Sequence, residues 1–424
     1  MIKHWVHACS MLVANLLATR WVASLVLACA AGALTAFGII GIGRDGTFLS
    51  DSNFDMWYLY AAGKAWWARI SPYDAAAFLE GVDLEGIFRG EERPSDVVFA
   101  YPPQAAPLAM LLATLSLRQA AVAMAALNLL STLGLVASIA WLARRPGENT
   151  RDVIGATRTW YIAAIVVGNP FTAHVFWMGQ TSLIASAAIA GSFVAWRHDR
   201  VWIAGLLLAV ATLKPQLALL PFGWIVFAGR GPRTALVSLA AAGLLSLWPI
   251  IVSGGPIALA AEWLGAVERY QFDPFNQIAF EKMFGVRSLF AVVFGDAPSM
   301  LPLGIMGLAM LIWFRSRLNT AEALALLAVL TVSFVYAHDY DLVLLTVAAA
   351  PLAYLLEERP ALRLWVLGGL LALMLPQRFL RGFESPILFE YREVLVLALG
   401  ALIVAEVRWR HATAPPRSVP DSAT

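Results

Sequence analysis

The stretch YPPQAAPLAMLLATLSL, residues 101–117, is apolar and nearly long enough to cross a bilayer, and the topology of everything after it turns on whether it does. A crossing helix needs about 20 apolar residues. Three prolines in its first half, Pro102, Pro103 and Pro107, disfavour a regular helix there, so the expectation is a re-entrant or interfacial hairpin.

Outward from that stretch the chain is greasy throughout. Of its 424 residues 60% are hydrophobic and only 14% charged, with a mean hydropathy of +0.71; a soluble domain carries about 25% charged residues. This is the composition of an all-α polytopic membrane protein. Apolar runs at 21–43, 119–143, 159–176, 180–196, 201–213, 216–229, 234–253, 298–314, 320–336, 340–356, 362–376 and 392–407 give about twelve transmembrane helices. The N-terminal segment has no small-residue cleavage site and reads as retained. Cys9 and Cys29 are the only cysteines, so no disulfide framework and no cysteine-ligated metal site is available.

Arginine-rich turns fall on every second connection: Arg144-Arg145, Arg197 to Arg200, Arg230 to Arg233, Arg315 to Arg317, Arg359 to Arg363 and Arg408 to Arg410. The positive-inside rule puts them, with both termini, in the cytoplasm. A long first outer loop then covers residues 44–100, and a second covers 254–299. Residues 1–410 form one integral-membrane domain, and 411–424, rich in Pro and Ser, form a disordered cytoplasmic tail.

The same parity brings three polar groups to the outer ends of spans: Asn169-Pro170 with Gly179-Gln180, Lys214-Pro215-Gln216, and His338-Asp339-Tyr340-Asp341. An ionisable group at that depth costs several kcal/mol unless it is paired or faces a wet cavity. A helix cap or a snorkelling side chain explains any one of them; three on one face, with Asp51 and Asp55 in the first loop, argue for an outward-facing polar cavity. No Walker A, dinucleotide or H-E-x-x-H motif is present, and His338 has no second ligand at metal spacing. No cofactor, metal or nucleic-acid partner is expected.

In order, the segments FDMWYLYAAGKAWWARISPYD, FAYPPQAAPLAMLL, NPFTAHVFWMGQTSLI, AGLLLAVATLKPQLALL and HDYDLVLL, from about Phe54 to Leu345, resemble glycosyltransferase family 87. The resemblance implies a helical bundle of the GT-C superfamily. It implies an enzyme of the cytoplasmic membrane, active on the outer side, that moves a hexose, typically mannose, from a polyprenyl-phosphate carrier to the hydroxyl of a lipid or glycan acceptor, usually with inversion. Such a reaction needs a carboxylate to take the acceptor proton and cations or hydrogen-bond donors for the departing phosphate.

Asp55 matches the family's loop acid and is the expected base. Asp51, four residues earlier, is the reserve or a neighbour that raises the pKa of the base. Lys214 is placed either to meet a lipid-borne phosphate or to snorkel to headgroups. His338 can donate to phosphate or sugar, its tautomer held by Asp339 or Asp341. Tyr101, Asn169 and Gln180 complete the candidate binding set. Trp57, Trp66 and Trp67, among sixteen tryptophans, suit the headgroup level. A secondary transporter with an outward-facing polar cavity is the rival reading, although no internal repeat is seen. A ligase or polymerase-type transferase using diphosphate-linked donors is the other, although its large loop comes late in the chain.

Overall fold

The computed structural model describes residues 54–88, 98–145, 147–149, 152–153, 157–228, 231–272, 283–295, 297–375 and 390–413. Asp51, the apolar run at 21–43, both cysteines and residues 414–424 lie outside these. The described residues are almost wholly helical, with a single two-stranded antiparallel ribbon.

The segment 44–100, expected as a first outer loop, is largely helical where it is described. Helix α1 (Phe54–Trp67) is followed by α2 (Ala75–Gly81) and α3 (Leu84–Phe88). Apolar on nearly every side, α1 buries Met56, Trp57, Leu59, Ala61, Ala62, Ala65 and Trp66. A helix that is hydrophobic all round belongs in a core. Trp57 and Trp66 are therefore core residues, 2% and 1% exposed, and not headgroup anchors; Trp67, 55% exposed, keeps that option. The partner of α1 is α4 (Ala106–Ala113), the heart of the 101–117 stretch. The two backbones approach so closely that a Cβ at Gly63 would sit 2.0 Å from the Ala109 carbonyl oxygen. Tyr60 Oη donates to the Leu115 carbonyl at 3.0 Å and Trp67 Nε1 to that of Met110 at 2.9 Å.

Eight residues of α4 rise only about 12 Å, so 101–117 is no spanning helix; a 3-10 turn at Pro103–Ala105 precedes it. Ser116 and Gln119 then build a reciprocal capping box that starts α5 (Leu117–Leu142). At 26 residues α5 rises roughly 39 Å, enough for the roughly 30 Å hydrocarbon core.

The next apolar run is broken: α6 (Thr157–Val167) and α7 (Pro170–Met178) meet at 47°. Four helices follow, α8 (Ser182–Arg197), α9 (Val201–Ala211), α10 (Pro215–Phe227) and α11 (Gly231–Leu245), with α8 and α9 packed closely together. The described part of segment 254–299 is again mostly helix: α12 (Leu247–Val252) leads into it, then α13 (Pro256–Phe272), strand β1 (Met283–Phe284) and α14 (Val286–Phe294). After α15 (Leu301–Trp313) and α16 (Thr320–Phe334), strand β2 (Ala337–His338) pairs with β1, Met283 opposite His338. A 3-10 run at Asp339–Ala348 continues into α17 (Ala349–Glu358), and α18 (Arg363–Met374) and α19 (Tyr391–Thr413) complete the chain.

Leu117–Leu142 and Asp339–Glu358 are long and apolar enough to cross a membrane, and the bent α6–α7 pair makes a third if it counts as one span. In the run at 392–407 α19 has 23 residues; the other apolar helices described there are shorter, 10–17 residues. Their ends nevertheless sort into two sets. At one, Arg145 pairs with Glu357 at 3.0 Å and Glu358 at 3.1 Å, Arg158 with Glu148 and Glu357, Arg359 with Glu406 at 3.2 Å, and Arg410 with Glu322. These ties join the ends of α5, α6, α17 and α19 and the start of α16. Asn169 follows α6 and His338 follows α16, at the ends of those helices away from the arginine pairs.

A candidate active site around Lys214 and Asp341

Lys214 sits at the N-cap of α10, fixed there by the proline that follows it. The residue is 6% exposed, which rules out snorkelling to the headgroups. Its Nζ lies 3.7 Å from Oδ1 of Asp341, a carboxylate with no exposed surface. The ammonium also lies over two rings, 4.8 Å from the centre of Tyr340 and 5.6 Å from that of Tyr101. Cation–π contact with desolvated rings stabilises a buried ammonium.

Asp341 is the hub of this cluster. Ser182 Oγ donates to Oδ1 at 2.6 Å, and the His338 backbone N–H donates to Oδ2 at 3.2 Å. One carboxylate thus joins the start of α8, the N-cap of α10 and the β2 strand. The His338 side chain accepts the Asp341 backbone N–H in a reciprocal capping box. Its Nε2 faces the hydroxyls of Tyr336 at 3.0 Å and Tyr270 at 3.4 Å, the latter reaching in from α13. Asp339 instead meets Arg392 of α19, Oδ1 to Nη1 at 3.4 Å.

Tyr101 and Gln180 meet directly, Tyr101 Oη donating to Gln180 Oε1 at 2.9 Å; the same oxygen accepts the Thr181 N–H at 3.0 Å. Gln104 of the Pro-rich stretch ties in beside them, its Nε2 donating to Thr212 Oγ1 at 2.9 Å. Asp55 lies in the first turn of α1, half-buried, and its charge acts on both Tyr101 and Tyr340. Burial, with Asp55 adding to it, pushes the Tyr101 phenol well above its ordinary pKa. It is therefore a neutral donor at physiological pH.

Of the residues singled out from sequence, Tyr101, Gln180, Lys214 and His338 come together, with Asp55 in electrostatic reach. Asn169 does not point into the cluster. Its amide nitrogen donates to the Ile165 and Val166 carbonyls and to Thr172 Oγ1, and its oxygen accepts the Thr172 N–H at 2.8 Å. These bonds hold the break between α6 and α7 together, the work of an N-cap. Ser182, Tyr270, Tyr336 and Arg392 were not foreseen, because a lone hydroxyl or arginine beside an apolar run carries no spacing signal. Among the described residues no group of three His, Cys, Asp or Glu is placed to hold a metal ion.

The model of glycosyltransferase family 87 matches residues 99–337, more than half of the chain. The chain belongs to glycosyltransferase family 87. A family 87 protein is a membrane glycosyltransferase, and the apolar helices agree with that. The match contains Tyr101, Asn169, Gln180 and Lys214 and stops one residue before His338; Asp55 lies upstream of it. What joins those two to the family 87 region is the packing just described. No curated protein matches the chain.

Proposed function

We propose that this glycosyltransferase moves a hexose, with mannose the first expectation, from a polyprenyl-phosphate carrier to an acceptor hydroxyl at the outer face of the cytoplasmic membrane. Asp55 takes the proton of the acceptor hydroxyl as that oxygen attacks the anomeric carbon from the side opposite the phosphate. The carbon–oxygen bond to phosphate breaks, and the polyprenyl phosphate leaves with the electron pair. The configuration at the anomeric carbon inverts.

The observation that carries this reading is the position of Lys214: a buried ammonium between Tyr101 and Tyr340, the same two rings on which the Asp55 charge acts. A cation for the leaving group and a carboxylate for the entering proton thus act on the same two rings. Because Asp341 already faces Lys214, the carrier phosphate has to share the ammonium with it. Charge-assisted bonds of this kind strengthen as negative charge builds on the departing oxygen. His338, polarised by Tyr336 and Tyr270, and the Tyr101 and Gln180 pair are the remaining donors toward phosphate and sugar.

The arginine-paired helix ends favour a multi-pass arrangement with that end in the cytoplasm and the Lys214 end outside. The test is direct. Purified protein is incubated with polyprenyl-phosphate hexoses and an acceptor extract, and release of polyprenyl phosphate is scored. Acceptor-dependent release from one of these donors supports the reading, and release only from diphosphate-linked donors would move the protein to the ligase class.

A further inference from the structure

On the other side of α1 from Asp55, a cavity of about 470 Å³ lies between α1, the α2–α3 turn and the start of α5. That volume is within the range of about 300–1,000 Å³ typical of small-ligand sites. Tyr60, Lys64, Val82, Asp83, Ile87 and Leu117 line it. Both charged groups are solvent-accessible, and among the described residues neither is in an ion pair with the other or with any third group. The Lys64 ammonium rests 5.3 Å from the centre of the Tyr60 ring.

Asp83 is held by the turn it belongs to: Oδ1 accepts the Gly86 N–H at 2.9 Å. Its Oδ2 lies 2.3 Å from where a Cβ on residue 86 would be, so glycine there is what lets the carboxylate lie in this position. Among the described residues the cavity thus offers one unpaired cation and one unpaired anion, on walls of tyrosine and aliphatic side chains. A complementary ligand carries both signs of charge.

The position narrows its class. Leu117 begins α5, which is long and apolar enough to cross a membrane. A charged pocket at the mouth of such a helix is at headgroup level. We infer that the cavity seats the headgroup of a zwitterionic aminophospholipid, its phosphate on Lys64 and its ammonium on Asp83. It is separate from the transfer site. Nine residues divide Asp55 from Lys64 on α1, roughly two and a half turns, which sets them on opposite faces about 13 Å apart along the axis.

The test reads binding alone. The full chain in detergent is titrated with phosphatidylethanolamine, phosphatidylglycerol and phosphatidylcholine of equal acyl length, and bound lipid is counted by native mass spectrometry. Phosphatidylethanolamine is expected to bind about tenfold more tightly than the phosphatidylglycerol that lacks an ammonium, one charge-assisted contact being worth roughly that factor. Asp83→Asn should abolish the preference, Lys64→Met should weaken all three lipids, and Gly86→Ala, which crowds Oδ2, should act like Asp83→Asn. All three positions are on the surface, so each variant is expected to elute from a sizing column like the parent. Equal binding of phosphatidylethanolamine and phosphatidylglycerol by the parent, or an unchanged preference in Asp83→Asn, would overturn the assignment.

Discussion

Lys214 and Asp341, 127 positions apart in the chain, form an ion pair of 3.7 Å in which neither partner has appreciable contact with solvent. Removing one member of such a pair leaves the other charge buried and uncompensated, at a cost of about 3–5 kcal/mol, whereas removing both is far milder. Lys214→Met and Asp341→Asn should each lower the unfolding midpoint in detergent, and the double variant should be more stable than either single one. Strictly additive losses would show that the two groups do not act as a pair.

The kinetic consequence follows from the same contact. Lys214→Ala should raise the donor KM or lower kcat by an amount equivalent to roughly 1.5–3 kcal/mol, the worth of a hydrogen bond to a charged group. Lys214→Arg should recover only part of it, since a planar fork replaces a point charge between two rings. Steady-state rates over a range of donor concentrations separate the two parameters, and parent-like values in both variants would remove Lys214 from the donor site.

Asn169 gives the opposite expectation. Its side chain is used up in capping α7 and closing the break after α6. Asn169→Ala should destabilise the protein by about 0.5–2 kcal/mol, visible as a lower thermal midpoint, while the donor KM of the folded fraction stays at the parent value. A rise in KM without loss of stability would restore it to the binding set.

Much of this site was legible because helix alternation is a counting rule. With the arginine turns on every second connection, Gln180, Lys214 and His338 are expected at the other end, whereas the ring and carboxylate contacts around Lys214 come from helix packing that parity does not reveal. The Asn-Pro step at 169 announces a helix start, and capping is what the Asn169 side chain does. Less legible was the segment after residue 54. FDMWYLYAAGKAWW has one acid and one lysine among aromatics, and with no strong amphipathic pattern it looks like an interfacial loop until α4 covers it. Hydroxyls such as Ser182, Tyr270 and Tyr336 gave no warning, since their partners come from distant helices.

Glu390 supplies a pH signature. It precedes α19, where burial, and then the charge of Asp339, raise its carboxyl to about 7 from an ordinary 4.5. The folded state therefore holds this proton more tightly than the unfolded chain. Its contribution is fully present below about pH 4.5 and is lost as pH rises toward 7, with no further change above. Thermal midpoints measured across that window should fall less steeply with pH in Glu390→Gln than in the parent. Identical slopes would assign the pH dependence to other groups.

The central claim is that Asp55 takes the acceptor proton, and one comparison tests it most directly: the rate of polyprenyl phosphate release by Asp55→Asn beside the parent, in one reconstituted assay with donor and acceptor saturating. Asparagine keeps the size of the side chain and cannot accept the proton. A loss of at least about 10²-fold is expected in a variant that elutes like the parent and still binds donor. Release at near the parent rate would contradict it.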